Sequence, residues 1–145
     1  MSTGAIRSLK GGCLCGAVRF TAQTNCEIGV CHCGMCRKWS GGPLLAMDCS
    51  TTVKVEDESN LGLYRSSEWA ERGFCKKCGT PLFYRLAGKN LYFVSAEAFD
   101  DKTGFRMTSQ IFIDDKPPYY EFANDTKKMT GAEVFAAFTG GQAKD

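Results

Sequence analysis

The chain has little of what membranes, secretion or nucleic acids demand. No apolar run approaches the ~20 residues that a membrane-crossing helix requires. Met1 to Lys10 is polar and mixed, without the apolar stretch of a signal peptide. Lys and Arg number 18 against 16 Asp and Glu, so there is no basic excess of the kind nucleic-acid binders carry. Prolines number four, and neither a repeat nor a low-complexity tract is present, which argues against a disordered or linker-like chain. Histidine occurs once, at position 32. The expectation from these absences is a cytoplasmic globular protein with no membrane or nucleic-acid partner. A chain of 145 residues fits a single domain over 1–145, with its core at about 10–122.

Cysteine is what the chain has in plenty. Nine are present, and an odd number in a reducing compartment argues for metal ligation rather than a disulfide framework. Seven of them fall in three groups: Cys13-Leu14-Cys15, Cys31-His32-Cys33-Gly34-Met35-Cys36 and Cys75-Lys76-Lys77-Cys78. Zinc takes four soft ligands tetrahedrally, and close cysteine pairs on tight turns can each supply two of them. Cys13 and Cys15, followed by Gly16, and Cys75 and Cys78, followed by Gly79, are two such pairs. Glycine there can adopt the positive φ that a turn around a metal requires. Joined, they form a closed structural site, in which metal binding contributes directly to folding. Cys31, Cys33 and Cys36 remain, three ligands with a vacant corner, which is the pattern of a zinc that accepts water or substrate. Two alternatives stay open from the residues alone: His32 could close this second site, or the thiols could pair differently. The second site could also be only partly occupied. Loading seven thiolates with two zinc ions leaves the net charge near zero. Cys26 and Cys49 read as small buried hydrophobes, and Trp39, Trp69 and the phenylalanines as core.

The remainder reads mostly as short strands. Ala17 to Ala22 alternates with Val18 and Phe20 on one face; Leu44 to Met47, Val53 and Val55, and Leu61 and Leu63 suggest others. Pro81 to Leu86 and Asn90 to Val94 flank Ala87-Gly88-Lys89 as a hairpin. Met107 to Ile113 predicts a strand with Ile111 and Ile113 on one side. Thr130-Gly131-Ala132-Glu133 is a capping box, opening one short helix over about 131–139 with Val134, Phe135 and Phe138 as its apolar stripe. Roughly eight strands and one late helix predict an all-β, sandwich-like domain of short antiparallel strands.

Three stretches together resemble the glutathione-dependent formaldehyde-activating enzyme family, which includes the centromere protein V-like proteins (the GFA domain). They are Gly11-Gly12-Cys13-Leu14-Cys15-Gly16, Cys31-His32-Cys33-Gly34-Met35-Cys36-Arg37-Lys38 and Arg72-Gly73-Phe74-Cys75-Lys76-Lys77-Cys78-Gly79. Leu63-Tyr64-Arg65-Ser66-Ser67 resembles the strand before the last motif. The resemblance implies an Mss4-like (β-tent) fold around a structural zinc held by Cys13, Cys15, Cys75 and Cys78. It implies a second, catalytic zinc on Cys31, Cys33 and Cys36. The activity it implies is that of a carbon–sulfur lyase, an S-(hydroxymethyl)glutathione synthase acting on glutathione and formaldehyde.

Arg37, just after the third ligand, and Arg72, just before the last motif, are candidates to receive substrate carboxylates. Two other functions compete with the enzyme. One is a non-catalytic zinc protein that binds or carries glutathione or another small thiol. The other is a zinc-ribbon-like scaffold. Arg37-Lys38, Lys76-Lys77 and Lys127-Lys128 are isolated dibasic pairs rather than one stripe, which disfavours the scaffold.

Overall fold

The structure, a computed structural model, describes residues 5–144, with side chains through residue 137. Along the first half of the chain the elements are β1 (Arg7–Gly12), β2 (Arg19–Thr24), β3 (Glu27–Cys31), α1 (Gly34–Ser40), β4 (Leu44–Ser50), β5 (Lys54–Val55) and β6 (Leu61–Arg65). β7 (Ala70–Cys75), β8 (Pro81–Leu86), β9 (Leu91–Ser95), β10 (Arg106–Ile111), β11 (Lys127–Met129) and α2 (Gly131–Lys144) follow. They are gathered in two compact units. One takes the chain up to Ile28 and again over Leu45–Arg106; the other takes Gly29–Leu44 and the chain from Met107 onward. The expected all-β class is what forms.

In the first unit β1, β2 and β5 make an antiparallel three-stranded sheet, and a second antiparallel set runs β4-β9-β8-β7-β6. The period-two pattern explains the burial: Phe20, Ala22 and Thr24 of β2 point into the core while Thr21 and Gln23 do not. Val18, Met47, Leu82 and Val94 are wholly buried beside them. Phe99 meets Phe20 edge-to-face, with ring centroids 5.5 Å apart. Cys26 and Cys49 are buried, as expected of small hydrophobes. The expected hairpin is β8–β9. Trp69, expected in the core, is 53% exposed. Leu63 is also exposed, so β6 does not alternate as Leu61 and Leu63 suggest.

In the second unit the strands run β11-β10-β3, and β10 pairs with β11 in parallel, an exception to the expected antiparallel pattern. β10 stops at Ile111 because Phe112 takes a left-handed conformation (φ 54°) and leads into a 3-10 turn, Ile113–Asp115. Ile111 and Ile113 therefore do not share a strand face, and the buried residue of β10 is Gln110. The capping box forms as read: Thr130 Oγ1 accepts from the Glu133 amide at 3.1 Å, and Glu133 Oε1 accepts from the Thr130 amide at 2.7 Å. Val134 is buried and Phe135 packs edge-to-face on Phe112; Phe138 lies outside the described side chains. α1 was not expected as a helix. It is short, ends on Gly41 at φ 82°, and is followed two residues later by Pro43, the usual punctuation after a helix.

Gly11 tests how tightly the first unit is built. A Cβ there would lie 2.4 Å from the Ala98 carbonyl oxygen and 2.6 Å from the Phe20 ring. The segment carrying the carbonyl has little room to move, because Phe99 bridges to Gly11 and the Asp100 amide donates to Lys10 O at 2.9 Å. Gly11→Ala is expected to destabilise the fold by roughly 1–3 kcal/mol, measured as a lower urea midpoint at unchanged slope. A smaller effect belongs to Asp100, whose carboxyl Arg19 holds below its usual range through a bidentate contact. The folded carboxyl binds its proton less readily than the unfolded one. The stabilisation is therefore present above the ordinary carboxylate pKa and is lost as pH falls through the folded value. Asp100→Asn should flatten the stability curve below about pH 4. It should cost under about 1 kcal/mol at neutral pH, since the carboxylate is 52% exposed and screened.

Candidate functional site

Two thiol sets form, and each lies within one unit. The four sulfurs of Cys13, Cys15, Cys75 and Cys78 all lie within 4.8 Å of one another, and so do the three of Cys31, Cys33 and Cys36. The first set joins the turn after β1 to the turn after β7. Cys13 Sγ is 3.7 Å from Cys15 Sγ, and Cys15 Sγ is 3.8 Å from Cys75 Sγ. Each turn is closed by backbone bonds. The Cys13 amide donates to Val18 O at 3.0 Å and the Gly16 amide to Cys13 O at 3.2 Å. The Cys75 amide donates to Thr80 O at 3.0 Å and the Gly79 amide to Cys75 O at 2.8 Å. Both turns pass through glycine in the left-handed region, Gly16 at φ 83° and Gly79 at φ 80°.

Amides then point at the sulfurs. Val18 N–H meets Cys13 Sγ at 3.3 Å, and the amides of Lys77 and Cys78 meet Cys75 Sγ at 3.3 and 3.4 Å. Thr80 ties the two turns together: its hydroxyl accepts from the Leu14 amide at 3.1 Å and lies 3.1 Å from Cys78 Sγ. The Thr80 hydroxyl, helped by its amide, pulls the Cys78 thiol down to about 5. At Cys15 the Ala17 amide acts downward, but desolvation and the thiols of Cys78, Cys13 and Cys75 outweigh it and push Cys15 up to about 11. One thiolate is favoured and its neighbour resists. A set built this way completes its ionisation only when a cation shares the charge.

The second set sits where β3 gives way to α1. Cys31 ends the strand, the His32 amide makes a last bond to Ile111 O at 3.1 Å, Cys33 caps the helix and Cys36 lies in its first turn. Cys33 Sγ accepts from the Cys36 amide at 3.4 Å. Hydrogen bonding to the sulfurs of Cys33 and Cys36, in which Cys31 keeps its proton, together with burial holds the Cys31 thiol far above its usual range. Cys36 is buried, while Cys31 and Cys33 are half-buried.

His32 does not complete this set. It is fully buried, and its ring nitrogens lie 2.7 Å from Gln110 Oε1 and 2.8 Å from the Tyr120 hydroxyl. Burial, reinforced by Lys116 and Arg37, keeps its pKa below the ordinary histidine value.

Along α1 lies a cavity of about 770 Å³, lined on one side by Gly34, Arg37 and Lys38 and on the other by Tyr119, Tyr120, Glu121 and Phe122; Cys31, Cys33 and Cys36 are not among its lining residues. Gly41, Gly42 and Pro43 complete the wall. Arg37 is one turn beyond Cys33, on the same helix face. Its Nε donates to His32 O at 2.8 Å and its Nη2 to Asp115 O at 3.4 Å, so carbonyls rather than a carboxylate hold the guanidinium at the wall. Arg72, the other residue read as a substrate contact, belongs to β7 in the first unit. It is 2% exposed, with its guanidinium 5.0 Å over the Tyr84 ring, and is not among the cavity-lining residues.

Gln110, Thr126 and the Tyr119–Phe122 stretch were not singled out by sequence reasoning. Two adjacent tyrosines and a phenylalanine directly after Pro117-Pro118 were the available signal.

The glutathione-dependent formaldehyde-activating enzyme family profile matches residues 8–115. A Schizosaccharomyces pombe protein described as an uncharacterized lyase is 41% identical over 127 residues, covering 86% of this chain and 93% of that protein. A Halomonas elongata protein described as a candidate glutathione-dependent formaldehyde-activating enzyme is 32% identical over 85 residues, covering 52% of this chain and 54% of its own length. The crystal structure of a Rhodobacter sphaeroides protein superposes with a TM-score of 0.55 at 24% identity, over 63% of this chain and 88% of that one, and so shares the fold. With its three cysteine motifs inside the matched span and both thiol sets assembled, the chain belongs to the glutathione-dependent formaldehyde-activating enzyme family.

Proposed function

We propose that this protein is a zinc-dependent carbon–sulfur lyase that joins a small thiol to formaldehyde and, in reverse, releases them. Family membership and the lyase description of the S. pombe relative support the reaction class. The observation that carries the reading is the three-thiol set, with no fourth cysteine beside it among the described residues, at the N-terminal end of the helix whose Gly34, Arg37 and Lys38 line the cavity. Both donor sets fit zinc, since soft thiolates a few ångströms apart match its ligand preference. Cys13, Cys15, Cys75 and Cys78 would hold a structural ion, and Cys31, Cys33 and Cys36 a second. Zinc with an open position supplies Lewis acidity toward a thiolate or a carbonyl oxygen.

In the proposed reaction the thiol sulfur bonds to the carbonyl carbon of formaldehyde and the thiol proton ends on the former carbonyl oxygen. With glutathione as the thiol the product is S-(hydroxymethyl)glutathione. The chain's own residues bind and orient. Arg37, held at the wall by two carbonyls, offers its remaining N–H groups to a substrate carboxylate. Tyr119, Tyr120 and Phe122 supply an aromatic wall that displaces water from the bound thiol.

Zinc analysis checks the metal assignment. The purified protein should carry up to two equivalents. Cys36→Ser is expected to lose one equivalent and the activity with the fold intact, whereas Cys78→Ser should lose the other and with it cooperative unfolding. Retained turnover in Cys36→Ser would remove the proposal. Arg37→Gln should raise KM for glutathione about tenfold with little change in kcat. The initial rate of adduct formation should rise in proportion to enzyme concentration. A flat rate together with saturable glutathione binding would instead identify a thiol carrier.

A further inference from the structure

A hydrogen-bonded chain that contributes no thiol ligand runs behind the cavity wall. Gln110 is fully buried, and its Nε2 donates to Thr126 Oγ1 at 2.8 Å. Its Oε1 therefore faces His32 Nε2, at 2.7 Å. A carbonyl oxygen only accepts, so Nε2 donates this bond. The Tyr120 hydroxyl is hydrogen-bonded to the other ring nitrogen, Nδ1, at 2.8 Å. A phenol can donate one hydrogen bond and accept others, so one bond to the imidazole leaves Tyr120 capacity for a second, to a ligand.

Tyr120 is also held from other sides. Its ring stacks on His32 at 5.6 Å with an interplanar angle of 23°. Lys116 Nζ lies 5.3 Å from the ring centroid and donates to the carbonyls of Tyr120 and Pro117 at 2.7 and 3.1 Å. The same ammonium pairs with Glu121 at 2.9 Å. All this is spent on a residue in neither helix nor strand, so regular structure does not require it. Rigid anchoring of a loop side chain at a cavity wall is how binding groups are preorganised.

We infer that Tyr120 contacts the substrate through a hydrogen bond between its phenol oxygen and a hydroxyl on the ligand, and that His32, Gln110 and Thr126 are positioning residues for it. This rests on reading the cavity as the substrate pocket of the proposed lyase. The S-(hydroxymethyl) adduct carries a hydroxyl on the carbon next to sulfur; the free thiol has none there. The bond is therefore made as the carbonyl oxygen takes up its proton, late in the reaction, and favours that stage over the bound thiol.

The test uses zinc-loaded wild type, Tyr120→Phe and Gln110→Met, with glutathione and formaldehyde as probes. Tyr120→Phe should lower kcat for adduct formation about tenfold while the calorimetric Kd for glutathione stays within about twofold. Zinc content should not change, and Tm should fall by no more than several degrees, since the buried imidazole loses one partner. Gln110→Met, which leaves the cavity lining intact but releases the imidazole, should lower the same kcat without raising KM. Should Gln110→Met fail to fold, Thr126→Val loosens the same chain from its outer end and should act likewise. Wild-type kcat in Tyr120→Phe would overturn the inference and leave the lyase reading standing. A glutathione affinity weakened in step with kcat/KM would also overturn it, because Tyr120 would then bind the thiol uniformly. No enzyme-dependent rate in the wild type would overturn both readings.

Discussion

Thiols brought within 4.8 Å of one another resist ionising together, and much of this structure answers that constraint. Around Cys13, Cys15, Cys75 and Cys78 the answer is a pair of tight turns whose amides and one threonine hydroxyl point inward at sulfur. The donors make some thiolates acceptable, and the sulfurs left over need a cation. Because the two pairs are some sixty residues apart in sequence, whatever satisfies them also fastens the turn after β1 to the turn after β7. A metal bound there acts as folding energy for a sheet whose strands are short.

The three-thiol set resolves the same conflict differently. Cys31, Cys33 and Cys36 come from a strand end, a helix cap and a first helical turn, an arrangement that needs only six consecutive residues. No fourth sulfur joins them among the described residues, and the imidazole between two of them is turned away and used elsewhere. His32 reaches Gln110 and Tyr120 across 78 and 88 residues, so the loop forming the far wall of the cavity is tied to the backbone that carries the ligands. Ligand set and cavity are thus parts of one hydrogen-bonded assembly within the second unit.

How much of this was legible followed from the range of each interaction. The thiol groups, the Gly16 and Gly79 turns, the β8–β9 hairpin and the Thr130–Glu133 capping box are all local, and each formed as its spacing suggested. Burial misled wherever a partner lay far off. Gln110 displaced Ile111 as the inward residue of β10 because a buried imidazole needs an acceptor. Arg72, read as a candidate substrate contact, is buried over Tyr84, while Trp69, read as core, is exposed. α1 escaped notice because seven residues hold too few turns to show a period.

The sequence by itself determined which atoms can bind metal and in which groups they arrive, since ligand identity and turn geometry are properties of a few adjacent residues. Only the tertiary structure decided what His32 is for, which charged side chains line the cavity, and that the Tyr120 hydroxyl is tied to the imidazole. Those are outcomes of pairing between segments distant in the chain, and hydrogen-bond donors and acceptors choose partners by position in space.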